Sequence, residues 1–468
     1  MVGDRAADLD RRYVWHPFTQ MRDWMASEPL VIARGDGATL EDDRGRRYLD
    51  ANSSIWTNLH GHNHPDINAA LKAQLGKIAH SSALGLANEP APFLAKRLVQ
   101  AANEARTPTE PELSKVFFSD DGSTATEVAV KLAFESSRRQ GRTRQPRFLS
   151  LDNAYHGDTV GSVSVGQVEA FHQSFGPLLF DVDKAMSPHC YRCPYNRAKP
   201  ERVEARQSRR CHFECVDEVA RKMENQRKTQ GEPYAAMIVE PRIQGVAGMV
   251  AHPEGWLRRV ADLARREGTL LIADEVMTGF GRTGPLFASQ AESVVPDFLC
   301  VAKGMTGGYL PMAATLTTES VFDAFLGDYA ALRTFFHGHS YTGNQLGAAA
   351  SMASLDVLET DHTRRRREEL ADYLTRSMRR LWRLEAVGDV RQCGLVAGIE
   401  LSADWRQKRA FAWEAQVGVR VCHEMAKRGV LTRPIGNVVV LMPPYCVTFE
   451  EIDRMVEALF IAVQVVLS

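Results

Sequence analysis

The sequence has almost no net charge, few cysteines and no long apolar run. Its 57 lysines and arginines are balanced by 58 aspartates and glutamates, so no overall field attracts nucleic acid or an acidic membrane surface. The longest uncharged stretch, residues 334–355, is rich in polar side chains and glycine, which excludes a membrane span. The charged N-terminus has no apolar core, so no secretory signal is predicted. We therefore expect a cytoplasmic protein with neither nucleic acid nor membrane as a partner.

The composition and length of the chain are those of a large globular protein. Hydrophobic residues make up 44% and charged residues 25% of the 468 positions, which argues against disorder. At the usual ~150 residues per domain, this length corresponds to about three domains or two larger ones.

The middle of the chain alternates short apolar runs with helical patterns. Helices are predicted at 124–139 and 253–267, and the strand candidates are 115–119, 147–151, 235–240, 269–275, 297–302 and 312–316. Strands that alternate with helices are typical of a mainly parallel sheet flanked by helices. We therefore predict a large α/β domain over residues 70–345.

The two flanks of the chain have a different pattern. Residues 1–69 contain short strands separated by turns, and residues 346–468 combine charged and apolar-faced helices with a strand at 396–401. These flanks are predicted to build one smaller α+β domain beside the large one. The basic run 364–367 is followed by glutamates and is predicted to be a solvated helix face rather than a polyanion site.

One segment has the pattern of a phosphate site. FFSDDGSTATEVAVKLAF reads as a strand, a turn containing Gly122 and a helix start. The free N–H groups at that helix end, with hydroxyls from Ser123 and Thr124, would hold a phosphate. The signal is weak alone, because such residues are also ordinary helix caps. It is neither a P-loop nor a GxGxxG motif.

Two strand ends carry charged side chains. The apolar run in TLLIADEVMTGFGRTG stops at Asp274, and the one in DFLCVAKGMTGGYLP ends in Lys303 before a glycine-rich loop. Charges at the carboxyl ends of parallel strands lie where α/β folds bind ligands, and a buried carboxylate there requires a cationic partner. A desolvated lysine in that position can form a Schiff base. Taken singly, each would be a surface residue or an ordinary ion pair.

The three features together describe one ligand. A phosphate at a helix N-terminus, a carboxylate for a ring nitrogen and an amine for an aldehyde are the requirements of pyridoxal phosphate. Asp274 would keep the ring nitrogen protonated, so that the ring accepts electrons as a substrate Cα–H bond breaks. Lys303 would be the base that moves the proton.

The motifs ADEVMTGFGRTG, AKGMTGG, NAYHGDT and the GS turn resemble those of class III, fold type I pyridoxal-phosphate aminotransferases. The resemblance covers nearly the whole chain and implies that fold. It also implies a cofactor site with these roles: covalent attachment by Lys303, a bond to the ring nitrogen from Asp274, phosphate binding by Gly122 and Ser123, ring stacking by Tyr155 and packing on the opposite face by Val276.

The resemblance also implies a homodimer with shared active sites. In the family, a hydroxyl from an HG-x-[ST] segment of the other subunit reaches the phosphate, and Ser340 is the matching residue here, with Gly338 beside the substrate. Arg433 matches the carboxylate-binding arginine of the family, whose planar fork suits a carboxylate. Without the resemblance, Arg433 would be taken as a surface arginine.

WHPFTQM, SSIWTNLHGHNHP, FFHGHSYTGN and RPIGNVVVLMPPY are similar to the branch of this class that aminates 8-amino-7-oxononanoate in biotin biosynthesis. Phe18 replaces a tyrosine found in many members, and Ile55 with Trp56 replaces a tryptophan pair, on the amino-donor side of the pocket that also includes Tyr155. Both replacements resemble enzymes that use lysine rather than S-adenosylmethionine, so both donors stay open. Two other enzyme activities stay open: an ω-amine or diamine:pyruvate aminotransferase, and a pyridoxal-phosphate isomerase or decarboxylase. A metal-organised interaction protein is the non-enzymatic alternative.

Half of the eight cysteines form a cluster. Cys190-x2-Cys193 and Cys211-x3-Cys215 lie in a polar insertion at about 187–216, close to the spacing of a four-thiolate zinc site. Zinc there would be structural, because four protein ligands leave no open position; free thiols on a surface insertion are the alternative. The remaining cysteines are expected to be small buried hydrophobes: Cys300, Cys393, Cys422 and Cys446. The alternating histidines His60, His62 and His64 are predicted to shape the pocket rather than to bind metal.

Overall fold

The computed structural model describes residues 5–199, 202–203 and 209–467. Parts of the predicted cysteine-rich insertion, residues 200–201 and 204–208, lie outside the described residues, as do the first four residues and Ser468.

The N-terminal part of the chain contains short helices and a small antiparallel sheet. Its elements are α1 Ala6–Tyr13, α2 Met21–Ala26, β1 Ile32–Asp36, β2 Thr39–Asp42, β3 Arg47–Asp50, α3 Ser53–Trp56, α4 Pro65–Leu75 and α5 Pro90–Ala102. β2 pairs antiparallel with β1 on one side and with β3 on the other.

The central part of the chain forms a seven-stranded sheet with helices. Its elements are β4 Leu113–Ser119, α6 Gly122–Arg139, β5 Phe148–Leu151, α7 Val160–Val165, α8 Glu169–His172, β6 Asp183–Ala185, α9 Glu214–Gln230, β7 Ala236–Val239, β8 Ile243–Gln244, β9 Val250–Ala251, α10 Trp256–Glu267, β10 Leu270–Asp274, β11 Phe298–Val301, β12 Ala313–Thr318 and α11 Glu319–Asp323. The strand order is β4-β12-β11-β10-β7-β5-β6, in which only β12 runs antiparallel to its neighbours. The predicted α/β fold with a mainly parallel sheet is confirmed.

The C-terminal part adds a second mixed layer. Its elements are α12 Gln345–Leu358, α13 Asp361–Met378, β13 Val387–Cys393, β14 Val396–Asp404, β15 Arg409–Ala410, α14 Val417–Lys427, β16 Val430–Leu431, β17 Pro434–Ile435, β18 Val438–Leu441 and α15 Phe449–Leu467. β16 pairs in parallel with β3, so residues from both flanks share one sheet. The domain boundaries at 69 and 345 stay predictions.

The register of the central sheet places the carboxyl ends of its middle strands side by side. β10 lies between β7 and β11, and Asp274 at its last position is paired with Cys300 of β11. The backbone N–H of Glu275 donates to the carbonyl of Cys300, which ties the two strand ends together. Neighbouring strands lie about 4.8 Å apart, so side chains from these ends reach one common space.

Three sequence-based expectations were wrong in part. Arg364 and Arg365 are exposed as predicted, but Arg367 is buried, because its position on α13 turns it inward against Tyr445. Cys446 was expected to be buried and is exposed, because it lies in the loop between β18 and α15. The helix predicted from Pro253 begins at Trp256, after a left-handed Gly255.

Among the described helices, none combines the length and apolar character that crossing a membrane requires.

Candidate active site

A cavity of about 460 Å³ opens at the carboxyl edge of the central sheet. Seven residues predicted for the cofactor or substrate lie in its wall: Trp56, Gly122, Ser123, Tyr155, Asp274, Val276 and Lys303. They come from five separate parts of the sequence. The fold therefore brings the predicted phosphate turn, carboxylate and amine to one space.

Lys303 follows β11 and begins a short 3₁₀ turn. Its backbone has φ 44°, a left-handed conformation that is uncommon for a residue with a side chain and often marks a functional site. Burial lowers its pKa, although Asp274 and Glu240 oppose that effect. Its Nζ lies 4.9 Å from the centre of the Trp56 ring. A lysine held this way has an increased share of neutral, nucleophilic amine.

Asp274 is buried at the end of β10 and is fixed by two donors. The ring of His156 bonds through Nδ1 to Oδ2 at 2.7 Å, and the backbone N–H of Val276 donates to Oδ1 at 3.0 Å. These bonds hold the carboxylate in one orientation at the cavity wall. His156, which follows Tyr155 in the sequence, therefore contacts the carboxylate directly.

Glu240 is a second carboxylate in the cavity wall that the sequence reasoning did not select. Its Oε1 accepts a hydrogen bond from the backbone N–H of Tyr155 at 3.3 Å and its Oε2 accepts one from Gly245 at 2.8 Å. Burial, helped by the nearby charge of Asp274, raises its pKa to about 7. The signal was available, because Glu240 ends the predicted strand 235–240 just as Asp274 ends the next strand of the sheet.

The start of α6 forms a cradle that fits a phosphate. Asp121 caps the helix by accepting from the backbone N–H of Thr124 at 2.9 Å. A Cβ on Gly122 would come within 2.4 Å of Cγ1 of Val276, so only glycine lets the helix start approach that side chain. Ser123 completes the cradle, and its Oγ accepts from the backbone N–H of Asp158 at 3.2 Å. Free N–H groups at this helix end suit an anion, so the residues present fit the phosphate group of the cofactor.

A short left-handed turn places Trp56 in the cavity. The four residues of α3 all have positive φ, between 46° and 70°, which is costly for residues other than glycine. Asp50 holds the turn by accepting from the backbone N–H of Ser54 at 3.0 Å, and the hydroxyl of Ser53 donates to the carbonyl of Met442 at 2.7 Å. These tertiary contacts therefore stabilise the left-handed backbone of the turn.

Tyr155 forms one wall of the cavity together with its neighbours. Its ring is stacked on that of His172 with centroids 6.0 Å apart, and its hydroxyl donates to Asp158 at 2.6 Å. Phe171, beside His172, makes an edge contact with Phe18 at 5.4 Å. A row of aromatic rings therefore connects Phe18, on the predicted donor side, to the cavity.

Five predicted residues are exposed and stand outside the cavity wall as the described residues define it: Phe18, Ile55, Gly338, Ser340 and Arg433. Their roles in substrate or cofactor binding stay predictions. Gly338 and Ser340 were assigned to the neighbouring subunit's site, which is in keeping with their exposure in a single chain.

The four clustered cysteines lie close enough to influence one another electrostatically, but among the described residues no three of their sulfur atoms all lie within 4.8 Å of one another. Burial, together with the nearby Cys215, Cys211 and Cys193, raises the pKa of Cys190 to about 12. Within the described part of the chain, the one group of three possible metal ligands within 4.8 Å of one another is His189, Asp389 and Glu400. The structure therefore gives the zinc prediction no direct support.

The rings of two of the three histidines of the HGHNHP loop bond to other protein groups. His60 bonds through Nε2 to the hydroxyl of Ser354 at 2.9 Å, and His62 bonds to Asp50 at 3.0 Å. The described residues thus show structural roles for these two rings.

Comparison with known proteins agrees with this site. The profile of the family described as Aminotransferase class-III matches residues 21–463. A relative from Geobacter sulfurreducens, named adenosylmethionine-8-amino-7-oxononanoate aminotransferase, is 49% identical over 452 residues, which cover 97% of this chain and 96% of the relative. The crystal structure of a protein of that name from Methanocaldococcus jannaschii matches with a TM-score of 0.88 and 39% identity, covering 98% of both chains.

A second solved structure is similar to the same extent. An amine transaminase from an uncultivated Pseudomonas species, in its PLP-bound form, matches with a TM-score of 0.87 and 34% identity, covering 97% of this chain and 98% of the other. Fold, cavity and extent of sequence match lead to one conclusion: the chain belongs to the class III aminotransferase family.

Proposed function

We propose that the protein is a cytoplasmic pyridoxal-phosphate-dependent aminotransferase that converts 8-amino-7-oxononanoate to 7,8-diaminononanoate in biotin biosynthesis. The observation that carries this proposal is the single cavity that joins Lys303, Asp274 and the α6 cradle, in a chain 49% identical to a relative named for that substrate. The amino donor is S-adenosylmethionine or lysine.

Each group in the cavity has a defined task in such a reaction. Pyridoxal phosphate supplies an aldehyde that exchanges with amines and a protonated ring that accepts electrons. The start of α6 would hold its phosphate and Asp274 its ring nitrogen. Lys303 would hold the aldehyde carbon and then move a proton at the substrate Cα, since its lowered pKa favours the free amine. Arg433, which lies outside the cavity wall as the described residues define it, would hold the carboxylate of the ketone substrate.

The test of this proposal is an assay with purified holoenzyme, 8-amino-7-oxononanoate and either lysine or S-adenosylmethionine. We expect 7,8-diaminononanoate to accumulate with one of the two donors. Lysine is the expected donor, because Phe18 and Ile55 lack the hydroxyl and indole that many members present on that side. If no 7,8-diaminononanoate forms with either donor, the proposal is overturned.

An amine:pyruvate aminotransferase is the second candidate, and the match to an amine transaminase at 34% identity favours it. The two activities share the cofactor residues and differ in the acceptor. Rapid amination of pyruvate without formation of 7,8-diaminononanoate would select this candidate. Stoichiometric release of a keto product from the donor would exclude a decarboxylase or isomerase on the same scaffold.

We further propose that the protein acts as a homodimer with shared active sites. Large apolar side chains are strongly exposed in the single chain, among them Trp15 at 87%, Leu84 at 92% and Tyr329 at 97%. Exposed apolar surface of this kind is typical of protein interfaces. Ser340 is exposed on the same chain, free to reach the phosphate of a second subunit.

Mixed dimers test this sharing directly. Ser340→Ala should weaken cofactor binding by roughly 10-fold or more, since it removes a hydrogen bond to a charged group. Co-expression with Lys303→Ala creates one site per mixed dimer that has Lys303 from one chain and Ser340 from the other. That site should recover native cofactor affinity and turnover. Mixed dimers with the affinity of Ser340→Ala alone, or a monomer in solution, would contradict shared sites.

A structural zinc ion in the cysteine cluster is a separate proposal. It is supported by the sequence spacing and by the pKa values of Cys190 and Cys215, which burial and then the neighbouring thiols of the cluster raise; a bound cation would offset that effect. We expect metal analysis of the purified protein to give one zinc ion per chain. Cys193→Ser should lower that content, whereas Cys300→Ser, a buried cysteine outside the cluster, should not. Metal-free protein with full stability would refute the zinc site.

A further inference from the structure

A second cavity, of about 990 Å³, lies between α5, the loop after β10, α12 and the start of α13. Its wall shares no residue with the active-site cavity among the described positions. Apolar side chains form one part of the wall: Phe93, Leu286, Met352 and Leu358. Four basic side chains stand beside them: Lys96, Arg97, Arg364 and Arg367. Apolar lining with a few converging charges is the usual character of a small-molecule site.

Arg367 is the unusual member of this group. It is only 8% exposed, and its Nε and Nη1 are buried without a hydrogen-bond partner in the described part of the chain. Burial lowers its pKa, and the like charge of Arg364 adds to that effect, while Tyr445 and the exposed Glu368 oppose it. A buried guanidinium without a carboxylate is costly, so this position favours an anionic ligand.

Arg367 lies near a second buried arginine, Arg282, on the ring of Tyr445. Its guanidinium lies 5.6 Å from the centre of the Tyr445 ring, and the guanidinium of Arg282 lies 5.2 Å from the centre of the same ring. Arg282 binds two backbone carbonyls, those of Pro443 and Asn58, rather than a carboxylate. Two like charges thus share one aromatic ring, and an anion beside Arg367 would reduce their repulsion.

The other charges of the cavity leave room for such an anion. Of the acids in the wall, Glu359 is bound by Arg97 at 2.8 Å, while Glu104 and Glu368 are exposed. Lys96 and Arg364 are exposed and form no ion pair within the described residues. Apart from the Arg97–Glu359 pair, three cations and two exposed acids line the wall, so a net positive charge remains for a ligand.

We propose that this cavity binds a small molecule that carries an oxyanion, a carboxylate or a phosphate, on an apolar body. Arg367 supplies the main contact, because its planar fork matches either oxyanion, and Lys96 and Arg364 add charge from the rim. The apolar wall holds the remainder of the ligand. The site is independent of the proposed aminotransferase reaction.

Calorimetry on the cofactor-loaded protein tests the site, because the phosphate cradle of the active site is then filled. The probes are sodium octanoate, inorganic phosphate and the neutral 1-octanol. We expect saturable binding of octanoate that Arg367→Met weakens about 10-fold or more. Lys96→Met should weaken it less, and Arg365→Met, an exposed neighbour on the same helix, should leave it unchanged. Phosphate binding tighter than octanoate would support the site and assign its ligand to the phosphate esters.

Three results would overturn the proposal. One is equal weakening by Arg365→Met and Arg367→Met, which indicates a diffuse charge effect. Another is binding of 1-octanol as tight as that of octanoate, which indicates an apolar groove without anion recognition. The third is the absence of saturable binding of both anions. If Arg367→Met does not fold, Lys96→Met at the exposed rim carries the test, and unchanged octanoate affinity in that variant would count against the site.

Discussion

Replacing Lys303 with alanine is expected to lower kcat for amino transfer by about 10⁴-fold. The variant loses both the amine that would hold the cofactor aldehyde and the base that would move the substrate proton. No other lysine lines the cavity among the described residues, so none is placed to substitute for it. Steady-state turnover and the visible absorbance of the lysine-linked cofactor are the two measurements, and both should be lost together.

Lys184→Ala is the matched control for that variant. Lys184 is a second lysine whose pKa burial lowers, to about 8, but its Nζ donates to the carbonyl of Gly166, away from the cavity wall. Its loss should reduce stability while turnover per folded molecule stays near native. A comparable loss of kcat in both variants would show that Lys303 has no special task.

The central strands could be predicted because burial leaves a clear trace in the sequence. Strands covered on both faces are near-continuous apolar runs, as in β7, β10 and β11, whose residues are nearly all buried. β6 was missed, because its three residues, Asp183–Ala185, include two charged ones and are too short for a periodic signal. Whether a strand could be predicted therefore depended on its length and composition rather than on its position in the sheet.

The candidate site could be predicted where a charge ends an apolar run, and less well elsewhere. The sequence places Asp274 and Glu275 side by side, but neighbouring residues of a strand point to opposite faces. Asp274 faces the cavity, whereas Glu275 turns away and accepts from the backbone N–H groups of Ala288 and Ser289. The left-handed turn of α3 could not be predicted, since distant contacts such as that of Ser53 with Met442 impose it.

Replacing Asp274 with asparagine is expected to lower kcat/KM by about 10³-fold. The amide keeps the size of the side chain and one acceptor for the N–H of Val276, but it carries no charge to keep a ring nitrogen protonated. It also loses an acceptor for His156. The loss should be similar throughout roughly pH 6 to 9, because the missing charge is not restored by titration. Cofactor affinity should fall as well.

Glu240→Gln separates this effect from the general loss of a buried carboxylate. The pKa of Glu240 is raised to about 7, so its carboxyl group is largely protonated below that pH and charged above it. Glutamine resembles the protonated form in charge, but its single amide oxygen can accept from only one of the N–H groups of Tyr155 and Gly245. This variant should therefore show a small loss of kcat/KM at all pH values from the missing hydrogen bond, and a further fall only on the alkaline side of about pH 7. If Asp274→Asn showed the same pH profile and size of effect, the ring nitrogen would not depend on Asp274, and the two carboxylates would share one electrostatic role.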